Sequence, residues 1–289
     1  MQIREISNQH IRIAVSELGA EMQSLFSLET ETEWLWQGNT EIWPRKAPFL
    51  FPVVGKLNNN QFRHQGKILP LAQHGFARDS VFQLVAENQT MLRFRLEGNE
   101  EDFGNFPFPF ILEIAYELRD SRILISCLVK NPSQQELPFS IGAHPGFGLS
   151  GWPDKNYYLH FPEAIRPEYS LLSNGLLDVN RRFPLLLENQ SLKISPGLFA
   201  EDALIFAQPE FSRIQIVPEG GGEKLEVSFE GFPFLGLWSK PGAAFVCIEP
   251  WYGHADPLDF QGEFSEKPGI ICLAAGGKFQ CSFSLALLP

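Results

Sequence analysis

The chain has 289 residues and a net charge of −11, with 23 Lys and Arg against 34 Asp and Glu. This acidic balance argues against a nucleic-acid partner, because binding nucleic acid requires a face rich in lysine and arginine. Hydrophobic residues make up 44% of the sequence and charged residues 20%, a composition typical of a globular protein with a large core. A small molecule with little or no charge is compatible with this composition.

Targeting signals and cysteines bear on the compartment. No apolar run approaches the ~18 residues of a membrane span, and no basic segment followed by an apolar one opens the chain. Cys127, Cys247 and Cys281 lie in apolar, strand-like segments, and none of the four cysteines, including Cys272, forms a CxxC pair. The sequence therefore predicts reduced thiols, no membrane partner and a cytoplasmic location.

Alternation of apolar and polar residues is the dominant pattern along the chain and predicts half-buried strands. In chain order it occurs in IRIAV (11–15), MLRFRLEG (91–98), FPFILEIAYEL (108–118), RILISCLVKN (122–131), RIQIVPE (213–219), KLEVSFEG (224–231) and FQCSFSLAL (279–287). Glycine- and proline-rich turns separate these segments, so only stretches such as GLFAEDALI (197–205) have room for a helical turn or two. Because no linker interrupts the pattern, we expect residues 1–289 to form one all-β domain, a large antiparallel β-sandwich.

Three histidines stand in segments punctuated by glycine or proline: His74 in AQHGFARD, His144 in IGAHPGFG and His254 in EPWYGHADP. Strand ends and loops are where a β-scaffold presents functional groups. The sequence contains no HxH, HxxxH or HExxH spacing, which predicts no metal site. It also contains no GxSxG elbow and no phosphate-binding loop. General acid–base chemistry by a histidine and a carboxylate remains.

Glu249 is the candidate carboxylate. It follows the apolar run FVCI and precedes PWYG. A carboxylate at a strand end among aromatic residues would be partly desolvated, which raises its pKa and makes it a better base. A surface glutamate at the end of a strand is the alternative, and the residues alone leave both interpretations open.

The segments HGFARD (74–79), GAHPGF (142–147) and CIEPWYG (247–253), in this order, resemble the aldose 1-epimerase (galactose mutarotase) family, and most closely its LacX-like branch. The likeness extends to APFLFPVVGKLNNNQFRHQGK (47–67), EDALIF (201–206) and GFPFLGLWSKP (231–241). This resemblance implies a β-supersandwich that interconverts the α and β anomers of free sugars. It also implies that the reaction uses no metal and no organic cofactor, with a small-molecule sugar as the only partner.

The resemblance also implies roles for individual residues. Glu249 matches the family's base, His144 its acid, and His74 a second histidine that contacts the sugar ring oxygen. Asp202 resembles the acidic residue that binds sugar hydroxyls. Lys56 occupies a position where many members carry arginine. Lysine keeps the positive charge but lacks the planar guanidinium group that can make two hydrogen bonds at once.

Three further residues complete the predicted substrate-binding set. Arg78 is expected either to contact the sugar or to brace the His74 loop together with Asp79. Trp251 is expected either to stack on the sugar or to lie in the core, and His254 to lie at the rim of the pocket.

Three functions follow as hypotheses. The first is an aldose 1-epimerase acting on a neutral hexose. The second is a hexose-6-phosphate 1-epimerase, whose phosphate would bind basic residues such as Arg45, Lys46, Lys56 and Arg78. The third is a carbohydrate-binding protein without turnover, which would have no need to keep both an acid and a base. The sequence does not indicate the oligomeric state.

Overall fold

This computed structural model describes residues 2–99, 103 and 105–289, and within them the chain folds into β-strands. The strands, numbered β1 to β25 in chain order, are Ile3–Ser7, Ile11–Ser16, Met22–Ser27, Thr32–Glu33, Phe49–Leu50, Gln61–His64, Lys67–Pro70, Gln83–Asn88, Met91–Gly98, Phe110–Arg119, Arg122–Lys130, Leu137–Phe139, Ile141–Ala143, Gly146–Gly148, Tyr157–His160, Glu168–Ser173, Leu176–Pro184, Ser191–Lys193, Leu204–Ala207, Arg213–Pro218, Lys224–Ser228, Phe234–Trp238, Phe245–Tyr252, Ile271–Leu273 and Lys278–Leu288. Short 3-10 helices cover Asn58–Asn60, Ala77–Asp79 and Phe264–Glu266.

Helical structure is confined to those short 3-10 segments in the described part of the chain. The helical turns expected at 197–205 do not form an α-helix. Successive backbone hydrogen bonds from Leu198 to Ser195, from Ala200 to Gly197 and from Asp202 to Phe199 make consecutive turns instead. β19 then begins at Leu204. None of the described helices is long and apolar enough to cross a membrane.

Two large antiparallel sheets dominate the fold, which confirms the predicted all-β sandwich. The nine-stranded sheet has the order β18-β15-β20-β21-β25-β11-β10-β9-β8. The eight-stranded sheet has the order β17-β16-β19-β22-β23-β13-β5, with β14 also paired to β23. A four-stranded sheet of β1 to β4 and the two pairs β6/β7 and β12/β24 complete the structure. The segments predicted as strands form β2, β9, β10, β11, β20, β21 and β25.

The alternating strands bury one face. Along β11 every second residue, from Ile123 to Val129, is buried, and the residues between them are only partly buried. These side chains join one hydrophobic core to which both large sheets contribute, with Phe94 and Phe283 from the nine-stranded sheet and Leu237 and Ile248 from the eight-stranded sheet. Period-two alternation therefore identified strands that have one buried face.

The eight-stranded sheet is covered on both faces. In β23, Val246 and Ile248 point into the common core. Cys247 and Trp251 point to the opposite face, where they belong to separate apolar clusters. The strand therefore reads as an unbroken apolar run around Glu249, without alternation. The face opposite the common core carries the candidate site.

Candidate active site

A cavity of about 370 Å³ opens on the outer face of the eight-stranded sheet. Six of the eight residues predicted for the site line it, namely His74, Arg78, His144, Asp202, Glu249 and Trp251. A larger groove of about 910 Å³ lies elsewhere, beside Tyr158 and His160, and none of its lining residues is buried. The smaller cavity is the candidate active site because it combines concave shape with buried ionisable groups.

Glu249 lies in the interior of β23, not at the strand end that the sequence suggested, and only 1% of it is exposed. Burial, followed by the nearby Asp202 carboxylate, raises the pKa of the Glu249 carboxyl well above its ordinary value. The Trp251 indole N–H opposes this shift. This N–H lies close to the carboxyl but does not form a hydrogen bond with it. Among the described residues, neither Glu249 Oε2 nor Trp251 Nε1 has a hydrogen-bond partner.

His144 lies in the connection between β13 and β14, with its backbone N–H bonded to the Pro48 carbonyl at 3.0 Å. Its ring is stacked on Trp43 at 5.0 Å and meets Trp238 edge-on at 5.5 Å. This aromatic enclosure fixes the imidazole in place. Burial, with a smaller contribution from nearby arginines, lowers the pKa of His144 to about 3.

The His144 imidazole and the Glu249 carboxyl form the centre of the site. His144 Nε2 lies 3.2 Å from Glu249 Oε2, and both groups face the cavity. Burial raises the pKa of the carboxyl and lowers that of the imidazole, so each group favours its neutral form. A carboxyl and an imidazole in contact can act as acid and base at two positions of one substrate.

His74 lines the cavity and lies in the loop that follows β7. Its backbone has a positive φ of 67°, which is unusual for a residue other than glycine. The Gly55 N–H donates to His74 Nδ1 at 3.1 Å, and the His74 N–H donates to the Gly55 carbonyl at 2.9 Å. Since Nδ1 accepts a hydrogen bond, the neutral ring carries its proton on Nε2. Burial, with His144 and the arginines, lowers the pKa of His74 and keeps the ring neutral.

Asp202 reaches the cavity from the turn before β19. It is exposed, and its backbone φ is +78°. Its Oδ1 accepts a hydrogen bond from the Ala203 N–H at 2.8 Å, which orients the carboxylate at the cavity edge. A carboxylate held in this way can accept hydrogen bonds from two neighbouring hydroxyls of a sugar.

Arg78 belongs to the 3-10 helix Ala77–Asp79 and both braces the His74 loop and lines the cavity. Its Nη2 donates to the Gln73 carbonyl at 2.8 Å, while its Nε lies 3.7 Å from Asp79 Oδ2. Asp79 makes its shorter ion pair with Arg45, at 2.6 Å. Burial and the cation of Arg45 lower the pKa of Arg78. Two guanidinium groups therefore lie at one side of the cavity.

Trp251 forms part of the cavity wall and also belongs to a small apolar cluster with Leu50, Val54 and Ile205. Its indole lies flat over two glycines. A Cβ on Gly142 or on Gly236 would come within 2.4 Å of the ring. Only glycine allows this approach, so the two positions determine where the indole beside Glu249 lies.

Lys56 and His254, the other two predicted binding residues, do not line the cavity. Lys56 Nζ donates to the carbonyl of Asn174, the neighbour of the cavity-lining Gly175, at 3.1 Å. His254 is 5% exposed; its Nδ1–H donates to the Ala255 carbonyl at 2.6 Å, and its ring packs edge-on against Phe234. Both residues therefore support the loops beside the cavity in this structure.

Several cavity residues were not assigned to the site from the sequence. Trp43 is one of them, and the sequence indicates Arg45 only as a possible phosphate ligand. Trp238 and Lys240 lie in the GLWSKP segment, which carried the family resemblance but no assigned role. The sequence signal that could have identified these two residues is a tryptophan at a strand end followed closely by a lysine.

One group of potential metal ligands occurs among the described residues. A nitrogen of His144, the Cys247 sulfur and a carboxylate oxygen of Glu249 all lie within 4.8 Å of one another. All three residues are buried.

Comparisons with known proteins agree with this geometry. The sequence profile of the family described as aldose 1-epimerase matches residues 2–169. Protein LacX of Lactococcus lactis subsp. lactis is 30% identical over 98% of this chain and 99% of its own.

Solved structures are similar over the whole chain. A galactose mutarotase related enzyme from Lactobacillus acidophilus has a TM-score of 0.94 and 33% identity, covering 100% of this chain and 98% of that one. A galactose mutarotase-like protein from Lactobacillus casei has a TM-score of 0.89 and 27% identity, covering 99% and 100%. These matches confirm the resemblance carried by the three ordered segments. The chain therefore belongs to the aldose 1-epimerase family, and its function is of the sugar epimerase or mutarotase kind.

Proposed function

We propose that this chain is an aldose 1-epimerase that interconverts the α and β anomers of a hexose. The observation that carries the proposal is the buried His144–Glu249 pair, 3.2 Å apart and facing the cavity. When both groups are in the neutral form that burial favours, transfer of the carboxyl proton to the imidazole gives an imidazolium and a carboxylate. This is the state that acid–base ring opening requires.

Glu249 takes the proton from the C1 hydroxyl while His144 protonates the ring oxygen. The C1–O5 bond breaks as the C1 carbonyl forms, which leaves an open-chain aldehyde. After rotation about C1–C2, the carbonyl oxygen takes the proton from Glu249, His144 removes the proton from the O5 hydroxyl, and the ring closes as the other anomer. The same two groups serve in both directions, because each ends the cycle in the protonation state in which it began.

The other cavity residues bind the sugar in this proposal. The His74 Nε2–H donates to the ring oxygen and stays neutral, because the Gly55 N–H occupies Nδ1. Asp202 accepts hydrogen bonds from hydroxyls at the cavity edge. Trp251 offers an aromatic surface beside Glu249.

Anomeric exchange measured by NMR tests the proposal directly. Purified protein should accelerate the interconversion of α- and β-D-glucose or of α- and β-D-galactose above the rate in buffer. Exchange no faster than the buffer blank across a panel of free and phosphorylated sugars would contradict the enzyme assignment and favour a carbohydrate-binding protein without turnover.

A hexose-6-phosphate 1-epimerase is the second candidate. Arg45, Arg78 and Lys240 line the cavity and could hold a phosphate. Lys46 and Lys56 do not join them. Lys46 Nζ contacts the Gln23 carbonyl and Gln37, while Lys56 contacts Asn174.

Rates for glucose and glucose 6-phosphate separate these two candidates. If the phosphate binds this basic group, Lys240→Ala should raise KM for the phosphorylated sugar and leave KM for glucose unchanged. An equal effect on both sugars would contradict phosphate recognition by Lys240.

A further inference from the structure

Three side chains of different chemistry lie close together at and beneath the cavity surface. Cys247 and Glu249 lie two residues apart on one face of β23. Gly146 of β14 pairs with Cys247, which brings the neighbouring His144 beside both. His144 and Glu249 line the cavity, whereas Cys247 lies among apolar side chains next to them.

These side chains have free donor atoms at suitable distances. Glu249 Oε2 is buried and has no hydrogen-bond partner among the described residues. His144 Nε2 and Glu249 Oε2 are 3.2 Å apart, close to the ~3.4 Å between two ligands bonded at about 2.1 Å to a tetrahedral zinc ion. The Cys247 sulfur lies within 4.8 Å of one atom from each. Movement of the thiol by about 1 Å would complete a three-ligand set.

We propose that His144, Cys247 and Glu249 bind a thiophilic divalent cation such as Zn²⁺, and that the bound cation blocks anomer exchange. An imidazole, a thiolate and a carboxylate together carry two negative charges, so the complex with a divalent cation is neutral and suits a buried site. Binding requires the deprotonated thiolate and carboxylate, so any proton on either group is released to solvent. The fourth coordination position faces the cavity, where water or a sugar hydroxyl completes it.

The thiolate determines which cations bind. Sulfur favours Zn²⁺ and Co²⁺ over Mg²⁺ and Ca²⁺, which prefer sets of oxygen ligands. Cation binding does not depend on the proposed function, because it follows from the three donor groups. Only the inhibition depends on it, because the cation occupies the two groups assigned to proton transfer.

Titration with Co²⁺ alone tests the site without an activity assay. The wild-type chain should develop the near-ultraviolet charge-transfer absorption of a thiolate–Co²⁺ bond. The band should be absent from Cys247→Ala and retained in Cys272→Ala, a matched control because Cys272 is exposed. No band in the wild type, or the same band in Cys247→Ala, would overturn the proposal.

A second variant keeps the test decisive if Cys247→Ala does not fold. Glu249→Gln leaves the thiol in place and should weaken Co²⁺ binding at least tenfold, since loss of a direct ligand costs no less than loss of a group supporting one. Unchanged Co²⁺ affinity in this variant would also contradict the site.

The last experiment measures the effect of the cation on the rate of anomer exchange. Zn²⁺ should inhibit anomer exchange by the wild type, and EDTA should restore it, while Mg²⁺ has no effect. Cys247→Ala should keep its exchange activity and require at least about tenfold more Zn²⁺ for inhibition. Equal inhibition of the two proteins would show that the cation acts elsewhere.

Discussion

The carboxyl of Glu249 is buried beside the imidazole of His144. His144 Nε2 lies 3.2 Å away, and both side chains are nearly inaccessible to solvent. Burial raises the pKa of Glu249 and lowers that of His144, so it favours the neutral form of each group. A sugar hydroxyl entering the cavity offers the hydrogen bond that Glu249 Oε2 lacks.

Glu249→Gln tests the assignment of the base. We expect anomer exchange to be lost, because the amide cannot accept a proton, while sugar affinity stays within about tenfold, because the shape is kept. Affinity is measured by calorimetry and exchange by NMR. Substantial exchange in this variant would show that another group is the base.

His74 and His144 should behave differently when each is changed to Asn. His74→Asn should weaken sugar binding and lower the rate together, because it removes an Nε2–H donor to the substrate. His144→Asn should lower the rate far more than it weakens binding, because it removes the acid. Separate kcat and KM values for the two variants check this, and the opposite pattern would exchange their proposed roles.

His254 should make the stability of the protein depend on pH. Burial and the nearby Lys267 ammonium lower its pKa to about 4. Below pH 6.5 the imidazole is protonated in the unfolded chain yet stays neutral in the folded one until about pH 4. Acidification therefore favours unfolding within this window, by about 2 kcal/mol at pH 5.

Urea unfolding at pH 7 and pH 5 measures this effect. His254→Asn keeps a donor to the Ala255 carbonyl, and it should reduce the loss of stability between the two pH values by about 2 kcal/mol. The same substitution at the exposed His10 should leave the loss unchanged. An equal loss in His254→Asn and the wild type would exclude His254 as the cause.

At the scale of elements, the position of Trp251 depends on glycines in the neighbouring strands. Gly236 of β22 pairs with Glu249, and Gly142 of β13 pairs with Trp251. The indole lies over both glycines, so the packing of three strands determines the wall beside the base.

Gly236→Ala should disturb this wall. The added methyl group would lie 2.4 Å from the indole and displace it, costing about 1–3 kcal/mol of stability. Displacement beside Glu249 should lower kcat/KM by about 10- to 100-fold. Gly197→Ala is the control, because its added methyl group meets nothing within 4 Å. Similar losses in both variants would show that the effect is not local to Trp251.

The strands that the sequence predicted well are those with one buried face. β9, β10, β11 and β25 alternate because the nine-stranded sheet packs against the core on one side. β23 has both faces covered, so its pattern could not show which way Glu249 points. That direction depends on pairing with β14 and β22, which are distant in sequence.

The residues of the candidate site divide in the same way, into local motifs and contacts distant in sequence. His74, His144, Glu249 and Asp202 lie in local motifs that the family resemblance recognised. The direction of Lys56 depends on the carbonyl of Asn174, a residue 118 positions later in the chain. No local sequence pattern reveals such a contact. No local pattern reveals that Lys240 lies at the cavity edge either.

At the scale of the whole molecule, one core joins the two large sheets and the N-terminal sheet. It extends from Ile6 to Leu287 and includes residues from most strands. We therefore expect the chain to unfold as one cooperative unit, as the single-domain prediction requires.

Urea unfolding followed by two probes tests this expectation. Tryptophan fluorescence reports mainly on the region around the cavity, where Trp43, Trp238 and Trp251 lie. Far-ultraviolet circular dichroism reports on all the strands. The two transitions should coincide, and separate midpoints would indicate two independently folding parts.

The position of β25 has a consequence for how the protein is made. This strand follows all the others in the chain, yet it lies between β21 and β11 in the nine-stranded sheet. A nascent polypeptide on the ribosome therefore holds two half-sheets, each with an open edge, until β25 is synthesised. All strands of the eight-stranded sheet exist once residue 252 is made, but the nine-stranded sheet closes only when translation reaches residues 278–288.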